Sequence, residues 1–264
     1  MKISRVIDAK GRTVLTSMRA DGKLLRIDGD LFTDSMEVTD EVIEAKRWLC
    51  PVEAGTIYCI GLNYAKHAAE LRGAIPEFPV VFMKNPSAAI GHLEDIRIPK
   101  VCDDEMDYEG ELVVVIGKKC CNAAKAEALG YVLGYMCGND VSARIWQMQK
   151  GGSQWCHGKG FDTFAPIGPM LVTAEDIPDP NVLDIKTELN GRIVQQSNTN
   201  DMIFDVQTLI NFLSQDTTLL PGTVIMTGTP GGVGWTRNPK LTLKTGDRIS
   251  VEIEKIGRLD NNIK

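Results

Sequence analysis

Residues 107–118 read Asp-Tyr-Glu-Gly-Glu-Leu-Val-Val-Val-Ile-Gly-Lys, and the two halves of that run conflict. The second half, Leu112 to Ile116, is an unbroken apolar stretch dominated by β-branched residues, the mark of a strand buried on both faces. Yet Asp107, Glu109 and Glu111 enter it at alternate positions. Alternate residues point to one face of a strand, so Glu109 and Glu111 stand side by side, roughly 7 Å apart at their Cα atoms, with Asp107 continuing the row. Carboxylates at the lip of a dry strand repel one another and lose hydration unless a cation answers them. A divalent metal is one answer. An acidic strand end reaching solvent is the plainer one.

Working outward, the chain has 264 residues, 43% hydrophobic and 24% charged, enough for a full core with ordinary globular composition. One large domain with a small appendage is the expected partition, divided at 1–52 and 53–264. The formal charge of -6, from 35 acidic and 29 basic residues without a long basic run, argues against a nucleic-acid partner. No apolar segment has membrane-spanning length and the N-terminus lacks a signal-peptide core, so the chain reads as soluble and cytoplasmic, with an organelle left open. Seven cysteines without metal-ligand spacing suggest reduced thiols.

Upstream of the acidic run, Ile3 to Ile7, Thr13 to Ser17 and Leu24 to Ile27 read as strands separated by Lys10-Gly11 and Asp21-Gly22, a hairpin-rich appendage. Glu41 to Trp48 reads as one short helix. Ile57 to Leu62 is a buried strand leading into a short helix that Asn63 caps and Gly73 ends. On that helix His67 and Glu70, three apart, share a face, so the carboxylate is able to orient the imidazole as a general base. An incidental solvated pair is the alternative. Pro79 to Lys84 is a further strand.

Downstream, Ala123 to Leu129 reads as a helix, Val132 to Cys137 as a strand, and Ser142 to Gln147 as one or two helical turns. Asp140 at the strand end is a candidate third carboxylate or an ordinary helix N-cap. Glycines and prolines mark Lys150 to Pro169 as loop, with Lys159 either reaching inward or solvated. Asn190-Gly191 joins a hairpin, Phe204 to Leu213 is an amphipathic helix, and Val224 to Thr227 is a strand. That strand opens into a glycine-rich loop, 228–234, whose N–H groups suit an anionic oxygen.

Several of these stretches form a set. Asp-Tyr-Glu-Gly-Glu-Leu with Val-Ile-Gly-Lys, Gly-Asn-Asp-Val-Ser-Ala-Arg, Gly-Lys-Gly-Phe-Asp-Thr-Phe-Ala-Pro-Ile-Gly-Pro, Asn-Thr-Asn-Asp-Met-Ile-Phe and Thr-Gly-Thr-Pro-x-Gly-Val-Gly resemble the fumarylacetoacetate hydrolase family over about residues 55 to 260. The likeness is to its short members, acylpyruvases, oxaloacetate decarboxylases and oxaloacetate tautomerases. It implies an α+β, β-rich fold, a mixed β-sandwich roll with flanking helices and a small N-terminal hairpin appendage. It also implies a homodimer holding Mg²⁺ or Mn²⁺ on Glu109, Glu111 and Asp140. Three carboxylates suit a hard cation better than zinc.

By the same resemblance His67 and Glu70 supply the acid/base pair on a lid, Lys159 is catalytic, and Arg144, Gln147 and Thr229 contact substrate. Two positions depart from the pattern, Ile145 in place of an acidic residue and Gly231 in place of a longer side chain. The first is expected to loosen Arg144 and the second to change loop mobility. The expected chemistry is metal-assisted work on a 2-oxo acid through an enolate. Hydrolysis of an acylpyruvate-like diketo acid ranks first, oxaloacetate decarboxylation or tautomerisation second, with a larger pathway substrate also open. A catalytically silent, metal-stabilised dimeric binding protein is the reading from another class.

Overall fold

The strand Gly110–Ile116 is buried at all seven positions, because its two faces meet two different cores. Leu112, Val114 and Ile116 pack with Val206, Leu209, Val251 and Leu259. Val113 and Val115 pack with Met136, Phe164 and Met226. The computed structural model describes residues 1–264 apart from 34, 71–73 and 103.

From edge to edge the main sheet runs Glu37–Ile43, Leu24–Asp28, Thr13–Met18, Lys2–Asp8, Ala165–Thr173, Val132–Asn139, Gly110–Ile116, Val224–Met226, Ile57–Gly61 and Val80–Lys84. Most neighbours are antiparallel, but Val224–Met226 pairs parallel with Ile57–Gly61, so the sheet is mixed. A second sheet of five strands has Arg192–Asn198, Asp184–Leu189, Arg248–Ile253, Gly257–Ile263 and Asp95–Ile96 in that order. The protein is β-rich with few helices, as expected. Lys2–Asp8 continues the main sheet through Lys2 opposite Val172 and Ile3 opposite Leu171.

Local signals explain several elements. Asn190 and Gly191 both have positive φ, 52° and 76°, as a two-residue hairpin turn of the twisted-strand type requires. The helix Val206–Leu213 buries Val206, Leu209, Ile210 and Leu213, and the Asp205 carboxylate caps it by accepting from the Thr208 N–H at 2.8 Å.

Other expectations fail for physical reasons. Glu41 to Trp48 is not a helix: it falls in the strands Glu37–Ile43 and Ala45–Leu49, where Val42 lies opposite Leu25 and Trp48 opposite Val6. Ladder hydrogen bonds and burial of Ile43 outweigh the helix preference of its Glu, Ala and Lys residues. Residues 125–131 form a 3₁₀ turn in place of the expected helix. The 150–169 segment contains the helical turn Cys156–Lys159 and the strand Ala165–Thr173. The helix end expected at Gly73 lies outside the described residues.

Candidate metal centre and active site

Gly110 aims the carboxylates. A β-carbon on Gly110 would lie 2.1 Å from the Thr187 hydroxyl oxygen, so only glycine lets the second sheet seat against this strand. The flanking residues Glu109 and Glu111 then turn to the opposite face. Both backbone groups of Gly110 are held: its N–H donates to Gln195 Oε1 at 3.0 Å, and its carbonyl accepts from the Thr229 hydroxyl at 3.0 Å. Gln195 also donates to Thr229 Oγ1 at 2.8 Å and to the Pro230 carbonyl at 2.9 Å. The 228–234 loop is thereby tied to the acidic strand.

The third carboxylate arrives from the next strand. Asp140 follows Val132–Asn139, and its N–H donates to the Glu109 carbonyl at 2.8 Å. It is not a helix N-cap, because its neighbours Ser142–Ala143 pair as a short strand with Met106–Asp107. Carboxylate oxygens of Glu109, Glu111 and Asp140 lie within 4.8 Å of one another, and all three residues are buried.

Three buried cations surround them. Lys159 Nζ donates to Glu109 Oε2 at 2.8 Å, Asp140 Oδ2 at 2.7 Å and Ser142 Oγ at 2.7 Å, which uses all three ammonium hydrogens. Arg144 Nη2 reaches Glu109 Oε1 at 2.7 Å and Asp107 Oδ2 at 2.7 Å. Its Nε also donates to Asp107 Oδ2, at 2.9 Å, and Nη1 donates to Gln147 Oε1 at 2.9 Å. Among the described residues one N–H on Nη1 has no partner and is open to a bound molecule, and Gln147, whose oxygen is taken, has its amide donors open as well. Lys84 donates to the carbonyls of Val141 at 3.1 Å, Phe164 at 2.9 Å and Lys159. Its ammonium also lies 2.7 Å from Asp140 Oδ1.

These charges set the ionisation. Burial alone raises the Glu109 carboxyl, but the charges of Lys159 and Arg144 outweigh it and hold it at about 2. Burial, then Asp140 and Glu109, push Glu111 well above the usual carboxylate range. Burial opposes the Lys159 ammonium, but Asp140 and Glu109 together keep it above the usual lysine value.

The residues present fit a hard divalent ion. All donors are oxygens. With its three hydrogens directed at carbonyls, Lys84 meets Asp140 Oδ1 as a charge only, and that buried oxygen has no hydrogen-bond donor among the described residues. Lys84, Arg144 and Lys159 pair with Asp107, Glu109 and Asp140, and among the described residues Glu111, the carboxyl pushed furthest toward its protonated form, has no cationic partner.

A cavity of about 180 Å³ opens beside the triad, with Glu109, Arg144, Gln147, Lys159 and Thr229 on its polar side and Ile60, Leu62, Trp155 and Trp235 on its apolar side. His67 lines it too, from the helix Ala65–Glu70. Its Nδ1 lies 3.2 Å from Glu70 Oε2. Glu70 in turn accepts from the Thr236 hydroxyl at 2.7 Å and the Gly232 N–H at 3.1 Å. Burial raises the Glu70 carboxyl, but those two bonds and His67 draw it below the usual range.

Asn63 does not cap the helix as expected. Its side chain binds the Phe204 N–H at 2.8 Å, the Phe204 carbonyl at 3.0 Å and the Thr227 carbonyl at 2.7 Å, while Asp201 meets the helix at the Lys66 N–H, 3.2 Å away. Arg144 is not loosened by Ile145, since Asp107 grips the guanidinium and the Glu105 carboxylate accepts from the Ile145 N–H. At Gly231 the nearest atom to an added β-carbon is Glu70 Oε2 at 3.5 Å, so a β-carbon would fit there in van der Waals contact.

Sequence reasoning placed nine residues in this region and the structure gathers all nine around one cavity and its adjoining triad. It missed Lys84, Gln195, Trp155, Trp235 and Thr236. A lysine ending an apolar strand was the one available signal, for Lys84.

A β-roll that sets three buried carboxylates able to hold a hard cation beside a small, half-apolar cavity with a histidine at its wall defines a class of enzyme. Residues 56–264 match the family model described as fumarylacetoacetate (FAA) hydrolase C-terminal, and the chain belongs to that family. A fumarylacetoacetate hydrolase domain-containing protein 2 homolog of Dictyostelium discoideum is 51% identical over 84% of this chain and 75% of its own length. A mitochondrial oxaloacetate tautomerase of Xenopus laevis is 47% identical over 78% of this chain and 65% of its own. The structure of a 5-carboxymethyl-2-hydroxymuconate delta-isomerase from Mycobacterium smegmatis superposes with a TM-score of 0.86 at 36% identity, covering 100% of this chain and 99% of that one. Among the described residues no helix is long and apolar enough to cross a membrane.

Proposed function

We propose that this enzyme interconverts the keto and enol forms of oxaloacetate, with Mg²⁺ or Mn²⁺ on Glu109, Glu111 and Asp140. Oxaloacetate tautomerases are among the relatives, and this favours the second-ranked chemistry over acylpyruvate hydrolysis. The observation that carries the reading is the His67–Glu70 pair at the wall of a cavity of only about 180 Å³. Pockets for drug-sized ligands run to roughly 300–1,000 Å³, so this smaller space suits a small 2-oxo diacid.

With Nδ1 turned to Glu70, His67 presents Nε2 to take a proton from the carbon between the two carbonyl groups and return it to the 2-oxo oxygen, and the reverse for ketonisation. Glu70, fixed by Thr236 and Gly232, stabilises the imidazolium that results. Arg144 Nη1 and the Gln147 amide offer hydrogens to carboxylate or carbonyl oxygens. Lys159 contributes charge through the carboxylates it holds. A divalent cation, which Glu109, Glu111 and Asp140 would hold, would supply Lewis-acid polarisation of a substrate oxygen. Decarboxylation and hydrolysis draw on the same enolate, and the assay separates them.

Decay of enol absorbance, pyruvate release from oxaloacetate and acid release from acylpyruvates are to be measured with Mg²⁺ or Mn²⁺ added. Tautomerisation should dominate, and His67→Ala should slow it by about a hundredfold or more. No acceleration by the loaded protein, or unchanged turnover of His67→Ala, refutes the assignment. We further propose a homodimer, located in the cytoplasm or an organelle. Support for the dimer comes from the edge strand Val80–Lys84, which exposes Val81 and Met83 next to exposed Phe78. Its check is molar mass in solution.

A further inference from the structure

We propose that Asp107 is the charge-balancing and positioning residue of this site: it offsets Arg144 so that the carboxylate triad keeps its attraction for a divalent cation, and it pins the loop that orients Glu70. The inference rests on the cation reading given above. Asp107 is fully buried, and four of the five bonds it accepts come from Arg144 and from the 234–235 amides. Its Oδ2 takes Arg144 Nε at 2.9 Å, Arg144 Nη2 at 2.7 Å and the Trp235 N–H at 3.0 Å. Its Oδ1 takes the Gly234 N–H at 2.7 Å and the Tyr108 N–H at 2.9 Å.

The loop approaches closely for this purpose. A β-carbon on Gly234 would lie 2.8 Å from Asp107 Oδ1 and 1.9 Å from the Leu241 carbonyl oxygen. Two of the three amides that Asp107 holds, those of Gly234 and Trp235, stand between Gly232 and Thr236, the two residues whose N–H and hydroxyl fix Glu70. One carboxylate therefore braces both the arginine against Glu109 and the loop against the acid/base pair.

Asp107 and Arg144 form a buried ion pair beside the triad, and Arg144 also reaches Glu109. Asp107→Asn makes the cluster one charge more positive, with Arg144 then facing Glu109 unopposed. A merely structural Asp107 would make Asp107→Asn and Arg144→Gln damaging in the same direction. Charge balance makes them opposite and mutually compensating.

Metal-free wild type, Asp107→Asn, Arg144→Gln and the double variant are titrated with MnCl₂ by calorimetry, with thermal unfolding recorded for each. Asp107→Asn should weaken Mn²⁺ binding by about tenfold or more, since a full charge is lost a few ångströms from the triad in a poorly screened interior. Arg144→Gln should tighten it, and the double variant should return to within about threefold of wild type. Wild-type affinity in Asp107→Asn, or a double variant as weak as Asp107→Asn, overturns the inference. If Asp107→Asn does not fold, Arg144→Gln decides: tighter binding supports the inference, and unchanged or weaker binding overturns it. Turnover is read separately. A wild type that binds Mn²⁺ with this pattern of variants yet does not interconvert oxaloacetate tautomers supports the charge balance and overturns the reaction.

Discussion

Replacing Gly110 with alanine tests whether the close seating of the two sheets is what aims Glu109 and Glu111. The added β-carbon would lie 2.1 Å from Thr187 Oγ1 and 3.3 Å from the two methyl carbons of Val251, and Thr187 is itself fully buried. The side chain has no solvent to swing into, so strand or sheet must move. Overpacking of this kind costs about 1–3 kcal/mol. The lower chain entropy of alanine in the unfolded state returns about 0.4–1 kcal/mol. A net loss of about 1–2 kcal/mol follows, or a fall in Tm of about 2–8 °C for a chain of this size.

Urea midpoint and Tm measure that loss, and Mn²⁺ calorimetry reads the displacement of the two carboxylates. Thr187→Ala supplies the control. Its hydroxyl has no partner among the described residues, so truncation removes a desolvation penalty of about 1–3 kcal/mol against about 0.8 kcal/mol of lost methyl burial. The double variant should therefore recover most of the stability and the metal affinity. A Gly110→Ala protein with wild-type midpoint and Tm, or a double variant no better than the sum of the singles, refutes the reasoning.

Three further outcomes follow from the same structure. Lys159→Met strands Glu109 and Asp140 without their ammonium and should cost about 3–5 kcal/mol, and Mg²⁺ should raise its Tm by more than it raises that of wild type; equal Mg²⁺ shifts would contradict this. Chelation of protein loaded at a hundred times its metal Kd should remove about 2.7 kcal/mol, seen as a fall in Tm of about 5–11 °C in calorimetry. Asp205→Ala should cost about 1 kcal/mol at neutral pH by uncapping Val206–Leu213. Burial raises the Asp205 carboxyl but its bonds from Thr208 hold it below the ordinary value, so the stabilisation is complete above about pH 4 and fades as pH falls through the lower folded value. Urea midpoints of wild type and Asp205→Ala should converge in acid.

Much of the site was legible because its signals are local. An apolar run interrupted by carboxylates at alternate positions announces both a buried strand and a charge in need of an answer, and Gly110–Ile116 is that strand. The Asn190-Gly191 turn and the stripe Val206, Leu209, Ile210, Leu213 rest on periods and dihedral preferences that a few neighbouring residues carry. Glu41 to Trp48 misled because its residue types favour a helix, while its partners, Leu24–Asp28 and Lys2–Asp8, lie elsewhere in the chain.

What the sequence by itself determined, then, is the buried strand, its carboxylate spacing and the identity of the chemical groups. Only the tertiary structure decided how their hydrogens are shared. Lys159 spends every N–H on Glu109, Asp140 and Ser142, Arg144 keeps one, and Asp107 serves Arg144 and the Gly234 and Trp235 amides in place of a metal. The reason is physical. A side chain's donors and charge are written in its residue type, but burial makes each one seek a partner, and the partners here come from strands and loops that meet only when the two sheets close on Gly110.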